Sequence, residues 1–150
     1  MYNKKTIDYF SNPRNMGEIS DADIVAKGGN PACGDVVQLW VQLDGGKISD
    51  IKFKAFGCGA CIASSSALTE LVMGKTTEEA QKITNKDIAK YLGGLPAQKM
   101  VCSNFSAEIL RDALQKHKKW DHGLIFTLNI LLSTFDYLLV ASFSKEAGGD

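Results

Sequence analysis

Residues 37–55 read VQLWVQLDGGKISDIKFKA, and apolar side chains occupy alternate positions on both sides of an Asp-Gly-Gly turn. Val37, Leu39 and Val41 precede the turn, and Ile51 and Phe53 follow it. A period of two residues is typical of a strand with one buried face, and Asp-Gly is a favoured hairpin turn. The stretch therefore predicts an antiparallel β-hairpin.

Shorter elements are predicted before the hairpin. Lys4–Phe10 is predicted to be a helix that ends before Asn12-Pro13, because the residue before proline avoids the helical region. Asp23–Lys27 is predicted to be a short strand. The glycine-rich Gly28–Pro31 is predicted to be a loop.

Helical patterns follow the hairpin. One helix starts near Ala60 and ends at Gly74; its predicted apolar face consists of Ala63, Ala67, Leu68, Leu71 and Val72. Thr76–Glu79 matches a capping box, and another short helix is predicted over Asn85–Leu92. A last amphipathic helix is predicted after a cap at Ser103 or Asn104, and its apolar face consists of Ile109, Leu110, Ala113 and Leu114. Strands followed by helices predict an α+β fold, a small antiparallel β-sheet of about three strands packed against several helices.

Composition limits the class of protein. The chain has 150 residues, 45% of them hydrophobic, and 17 basic and 17 acidic side chains that give zero net charge. This apolar fraction excludes a disordered chain, and the absence of a basic excess predicts no nucleic-acid partner. The N-terminus shows no signal peptide, and four cysteines are too few for a disulfide-stapled scaffold. We therefore expect a cytoplasmic protein with reduced thiols.

The stretch Leu124–Phe143 is strongly apolar. Asp136 interrupts it, and Asn129, Ser133 and Asp136 form a polar stripe at helical spacing, so a membrane-spanning helix is not favoured. Residues 120–150 are therefore expected to be a helical extension, docked on the domain or on a partner, to which the sequence assigns no role.

Three cysteines are predicted to lie in connections between elements. Cys33 precedes the hairpin, Cys58 follows its second strand, and Cys102 precedes the last helix. Thiolates select zinc, copper(I) or iron–sulfur clusters, whereas a free cysteine elsewhere is commonly a small buried apolar residue. Cys61, on the predicted helix, is interpreted as a packing residue.

Three thiolates leave a tetrahedral site one ligand short. Asp35 is the nearest carboxylate and is a candidate for weak ligation or for a role in release; the alternative is an aspartate that caps a turn. His117 and His122 are expected to be surface residues rather than ligands.

Three separated motifs resemble one family. They are Cys33-Gly34-Asp35, Phe56–Ala60 followed by Ile62–Ser66, and Leu95–Lys99 leading to Cys102-Ser103. In this order they resemble the IscU/NifU-type scaffolds of iron–sulfur cluster assembly, with an IscU/SufE-like fold. The resemblance runs to about Lys119, so residues 1–119 are predicted to be the scaffold domain.

The resemblance implies a carrier rather than a turnover enzyme. Cys33, Cys58 and Cys102 would hold a transient 2Fe-2S cluster, and Asp35 would favour its release. Sulfur would come from a cysteine desulfurase and iron from the cell, and apo iron–sulfur proteins would receive the cluster.

The chain departs from the family pattern at several positions. Val101 replaces the histidine that commonly precedes the third cysteine, so the fourth ligand is Asp35, Cys61, a small thiol or solvent, or a desulfurase cysteine. We favour Asp35 or the partner's cysteine. The segment with Leu95, Pro96 and Lys99 resembles one that an Hsp70-type chaperone recognises, although Ala97 and Gln98 depart from it. Lys99 and Cys102 are also candidates for sulfur handling; the alternative for Lys99 is a solvated side chain.

Two other classes of function compete. Zinc would fit three thiolates and Asp35 in the cluster-free form, which suits a zinc-dependent sulfur acceptor, a sulfurtransferase that stimulates a desulfurase. The relatives that work in this way carry an insertion between the second and third cysteines, for which this chain has little room. The other class is a structural domain with incidental thiols.

Overall fold

The computed structural model describes residues 1–32, 34–101 and 105–119. The chain divides into two compact units, Met1–Leu114 and Gln115–Asp150, and the β-sheet belongs to the first of them. The extension predicted over residues 120–150 lies outside the described residues.

The described residues form one sheet and several helices. Three strands, β1 (Ile24–Asn30), β2 (Asp35–Asp44) and β3 (Lys47–Phe56), pair in the antiparallel order β1-β2-β3. The helices are α1 (Lys4–Ser11), α2 (Gly59–Val72), α3 (Thr77–Gln81) and α4 (Asn85–Tyr91), and a 3-10 turn covers Ala97–Lys99. Residues 100–101 and 105–119 are also helical. The predicted α+β fold is confirmed.

The β2–β3 hairpin forms where the alternating pattern predicts it. Gly45 and Gly46 both have positive φ, at 58° and 79°, which matches the twist of a two-residue hairpin turn. Val37, Leu39 and Val41 on β2 are fully buried, as are Ile51 and Phe53 on β3. These side chains form the sheet face of the core.

One prediction about β1 is wrong. Gly28, Gly29 and Asn30 are not a loop but the last three residues of β1, paired with Val37, Val36 and Asp35. A Cβ atom at Gly28 would lie 2.7 Å from Ile109 Cγ1, so the glycine lets the helical residues 105–114 approach the strand. Glycine here permits close packing and does not break the strand.

Helix α2 is buried on more sides than its sequence predicts. Ten of its fourteen residues are buried, including Ser64, Ser65 and Ser66. Small side chains allow α1, α4 and β3 to contact the same helix. Ser65 Oγ donates to the carbonyl of Cys61 at 2.9 Å, and Ser66 Oγ accepts from the backbone N–H of Arg14 at 2.7 Å, so these two serines are compatible with burial.

Other predicted features are confirmed. Thr76 and Glu79 form a capping box at α3, and a second box, Thr84 with Asp87, begins α4. Leu110 and Leu114 are buried, as the apolar face of the last helix predicts. The helical state already includes residues 100–101, ahead of the predicted start, while the proposed caps Ser103 and Asn104 lie outside the described residues.

The part of the chain that the structure describes contains no helix long and apolar enough to cross a membrane. Leu124–Phe143, the apolar stretch of the sequence, is not part of it.

One carboxylate joins three helices. Glu70 on α2 accepts hydrogen bonds from the hydroxyls of Tyr9 on α1, at 2.5 Å, and Tyr91 on α4, at 2.7 Å. The two rings meet edge to face, and the Arg14 guanidinium lies 4.0 Å from the centre of the Tyr9 ring. Burial by itself raises the pKa of Glu70, but the two phenol hydrogen bonds, together with the positive charges of Arg14 and Lys5, hold the pKa below its ordinary value of 4.5.

We expect Glu70→Gln to destabilise the fold by about 1 kcal/mol at pH 7, because it weakens two hydrogen bonds to a charged acceptor. The pKa of Glu70 is lower in the folded protein than its ordinary value of 4.5 in the unfolded chain. The ionised carboxylate therefore stabilises the fold above pH 4.5, and this stabilisation is lost as the pH falls through the pKa of the folded state. The difference from wild type should therefore shrink on acidification. Urea denaturation followed by circular dichroism between pH 7 and pH 3 measures it.

Glu108→Gln, at an exposed position of the last helix, is the control. Equal losses in the two variants, or a Glu70→Gln loss that does not change with pH, would contradict the role given to Glu70.

Candidate metal centre

Cys58 lies at the junction of β3 and α2. It is the N-cap of α2, with extended backbone angles of −71° and 163°, and its side chain makes no capping hydrogen bond. Its carbonyl accepts the N–H of Ile62 at 3.2 Å, the first bond of the helix. Because the N-terminus of a helix favours negative charge, an anionic sulfur ligand is well placed here.

Asp35 faces Cys58 from the first position of β2. Its Oδ1 accepts a hydrogen bond from the backbone N–H of Cys58 at 3.0 Å, and its Oδ2 lies 3.9 Å from Cys58 Sγ. Asp35 is only 2% exposed. Asp35 is therefore not a loop residue: it belongs to a strand, and its carboxylate accepts a backbone N–H at the start of a helix.

The structure brings together two of the four predicted metal ligands. Asp35 and Cys58 are adjacent, while Cys33 and Cys102 lie outside the described residues. Within the ranges that are described, no group of three or more metal-ligating side chains occurs. The described donor set is one carboxylate and one thiol, and both kinds of group are ligands for iron and zinc.

Cys61 is one turn into α2 and belongs to the hydrophobic core. It is 1% exposed, as its interpretation as a packing residue requires. Burial, with smaller contributions from the nearby Asp35 and Cys58, raises the pKa of Cys61 to about 12. Because thiolate is the form that binds metal, the core does not favour Cys61 as a ligand.

The segment Leu95–Lys99 comes after α4. Leu95 is partly buried against the core, Pro96 and Lys99 are half-buried, and Ala97–Lys99 forms the 3-10 turn. The preceding Gly94 carbonyl accepts a hydrogen bond from Asn3 Nδ2 at 3.0 Å, which ties this segment to the start of α1. The proposed sulfur-handling pair of Lys99 and Cys102 stays a prediction, since Cys102 is not described.

Val101 occupies the position where the family pattern commonly has a histidine. It is helical and 53% exposed, and it has no metal-ligating group. Of the two histidines in the chain, His117 is half-buried in the helical stretch 105–119, and His122 lies outside the described residues.

An apolar surface that the sequence motifs did not predict lies just before Cys58 in the chain. Phe56 is 79% exposed and pairs across the sheet with Val36, which is 38% exposed. The alternating pattern carried the signal, because inward Phe53 and Ala55 place Phe56 on the outer face. Exposed apolar side chains beside a site are a common feature of protein-binding surfaces.

The three-stranded antiparallel sheet and its helices make the chain a small α+β protein, with the carboxylate of Asp35 beside the thiol of Cys58 at the β3–α2 junction. The family described as "NifU-like N terminal domain" matches residues 1–122. The chain belongs to this family, and the resemblance drawn from the three motifs is confirmed.

Curated relatives extend the comparison. The iron–sulfur cluster assembly scaffold protein IscU 1 of Archaeoglobus fulgidus is 54% identical over 114 residues, 76% of this chain and 74% of its own length. The corresponding IscU of Aquifex aeolicus is 47% identical over 118 residues, 77% of this chain and 75% of its own. Among solved structures, a cluster assembly scaffold protein for the SUF system from Fervidobacterium islandicum matches with TM-score 0.64 and 28% identity, over 75% of this chain and 96% of its own.

The two described thiols should differ in reactivity. At pH 8 we expect iodoacetamide to label the half-buried Cys58 and to leave Cys61 unmodified in the folded protein, because burial excludes the reagent and raises the pKa of Cys61 to about 12. Peptide mass spectrometry identifies the labelled positions. In urea both thiols should react; labelling of Cys61 at the same rate in the folded protein would contradict its burial.

Proposed function

We propose that this chain is a scaffold on which a transient 2Fe-2S cluster is assembled and from which it is transferred to apo-proteins. Its relatives are named iron–sulfur cluster assembly scaffold proteins, and the chain shares that role as a carrier rather than a turnover enzyme. The observation that carries the proposal is the Asp35 carboxylate beside the Cys58 thiol at the start of α2. Residues 1–119 form the scaffold domain of this proposal.

The ligands proposed for the cluster are Cys33, Cys58, Cys102 and Asp35. Soft thiolates hold iron tightly, whereas a carboxylate oxygen is a harder and weaker partner. A cluster bound by three thiolates and a weak fourth ligand is retained long enough to assemble and can still leave. Asp35, adjacent to Cys58, or a cysteine lent by the desulfurase supplies the fourth position.

The proposed partners follow from the same chemistry. A cysteine desulfurase supplies sulfur, with Lys99 and Cys102 as the sulfur-handling pair, and apo iron–sulfur proteins accept the cluster. Phe56 and Val36 provide apolar surface for such contacts beside Cys58. Leu95, Pro96 and Lys99 form the segment proposed to bind an Hsp70-type chaperone. Zinc is proposed to occupy the site in the cluster-free form. We assign the protein to the cytoplasm.

Anaerobic reconstitution with ferrous iron and sulfide tests the scaffold. We expect visible absorption from a bound cluster in the wild type, and its loss in Cys58→Ala, because the substitution removes a thiolate ligand. Cys33→Ala and Cys102→Ala should behave in the same way. Cys61→Ala, the same substitution one turn further along α2, is the matched control and should bind cluster like the wild type.

If all three ligand variants bound cluster like the parent, the assignment would be wrong. Metal analysis of the protein purified anaerobically with its desulfurase, before and after reconstitution with iron and sulfide, separates the alternatives: replacement of zinc by iron with sulfide supports the scaffold, and zinc that stays in place without sulfide supports a sulfur acceptor.

Asp35→Ala is expected to retain the reconstituted cluster longer than the wild type, because it removes the carboxylate that favours release. The decay of visible absorption on mixing with a chelator gives the rate. Faster loss than in the wild type would refute the release role of Asp35.

A further inference from the structure

Gly57 lies between the end of β3 and Cys58, directly against the Asp35 carboxyl group. A Cβ atom at this position would lie 2.1 Å from Asp35 Oδ1 and 2.8 Å from its Cγ. These separations are far inside van der Waals contact. The atom it would meet first is the oxygen that accepts the N–H of Cys58.

The Asp35 main chain is confined from its other side. Gly29, on the neighbouring strand β1, comes so close that a Cβ atom there would lie 2.2 Å from the carbonyl oxygen of Asp35. The residue is 2% exposed, so the strand cannot move outward without breaking the sheet pairing of Asn30 with Asp35. A Cβ atom at residue 57 would also lie 3.1 Å from Asp35 Cα, but the carboxyl group is the closer obstruction and is the part that a side chain there would have to displace first.

We propose that Gly57 is a positioning residue that keeps the Asp35 carboxylate on Cys58. With the space at residue 57 empty, Oδ1 is held by the backbone N–H and Oδ2 stays beside the thiol sulfur. Asp35 then offers a bound cluster one oxygen, Oδ2, and not a bidentate carboxylate. The part of this inference that concerns the cluster rests on the proposed function; the part that concerns Asp35 does not.

Backbone conformation is the competing reason for a glycine here. Gly57 has φ +156°, where other residues are strained in any surroundings. Gly17 separates the two causes, since its φ is +147° and its Cβ position is 3.6 Å from the nearest atom, Lys52 Cδ. An alanine at residue 17 therefore has to adopt a similar φ without the obstruction.

A double-mutant cycle on the metal-free full-length protein tests the inference. Unfolding in urea is measured for wild type, Gly57→Ala, Asp35→Ala and the double variant. Gly57→Ala lowers the folding equilibrium constant by some factor in each background. Because the carboxyl group is already gone in Asp35→Ala, we expect that factor to be at least about ten times larger in the wild-type background than in the Asp35→Ala background. Gly17→Ala should cost the same in both backgrounds.

An equal cost of Gly57→Ala in both backgrounds would overturn the inference, since backbone strain alone would then explain the glycine. Where Gly57→Ala does not fold, the double variant is expected to fold, and its failure to do so would also overturn it.

Release of the reconstituted cluster is the second measurement. Gly57→Ala should release it as slowly as Asp35→Ala, whereas Gly17→Ala should release it at the wild-type rate. Release from Gly57→Ala at the wild-type rate would overturn the link between Gly57 and the cluster. If the wild type bound no cluster, the proposed function would fail, and the metal-free cycle would still decide whether Gly57 positions Asp35.

Discussion

The carboxylate of Asp35 is buried, and a buried carboxylate is costly unless hydrogen-bond donors surround it. The donor seen here is the backbone N–H of Cys58, at 3.0 Å, which would otherwise be one of the unpaired groups at the start of α2. This one hydrogen bond thus pairs both the buried carboxylate of a strand residue and a backbone N–H at a helix terminus. The position of the Cys58 thiol consequently depends on the register of the β2–β3 hairpin, because that register decides where both residues lie.

The rest of the domain holds this junction in place through α2. The helix packs its small side chains against β3, and Glu70 at its far end binds the hydroxyls of Tyr9 and Tyr91. The Phe10 ring of α1 lies over Gly59, the residue after Cys58, where a Cβ atom would be 3.5 Å from the ring. Helix α1 therefore contacts α2 near both of its ends, at Gly59 and at Glu70.

Local patterns in the sequence were sufficient for much of the fold. The hairpin was predictable because alternation and an Asp-Gly-Gly turn both act within a few residues, and the Thr76 capping box was predictable for the same reason. Gly28 was misassigned because its role is to admit Ile109, which comes from the other end of the domain. The burial of α2 on several sides was missed because the periodicity of one helix does not show how many neighbours pack against it.

The sequence by itself determined the order of strands and helices, the family, and which side chains have the chemistry for iron and sulfur. Only the tertiary structure decided that Asp35 is a buried strand residue bonded to the N–H of Cys58, and that Cys61, three positions further on, lies in the core. Residue types and spacing are local properties of the chain. The surroundings that bury one thiol and place a carboxylate beside the other are assembled from β1, β2, β3 and α2, and they exist only when these elements pack together.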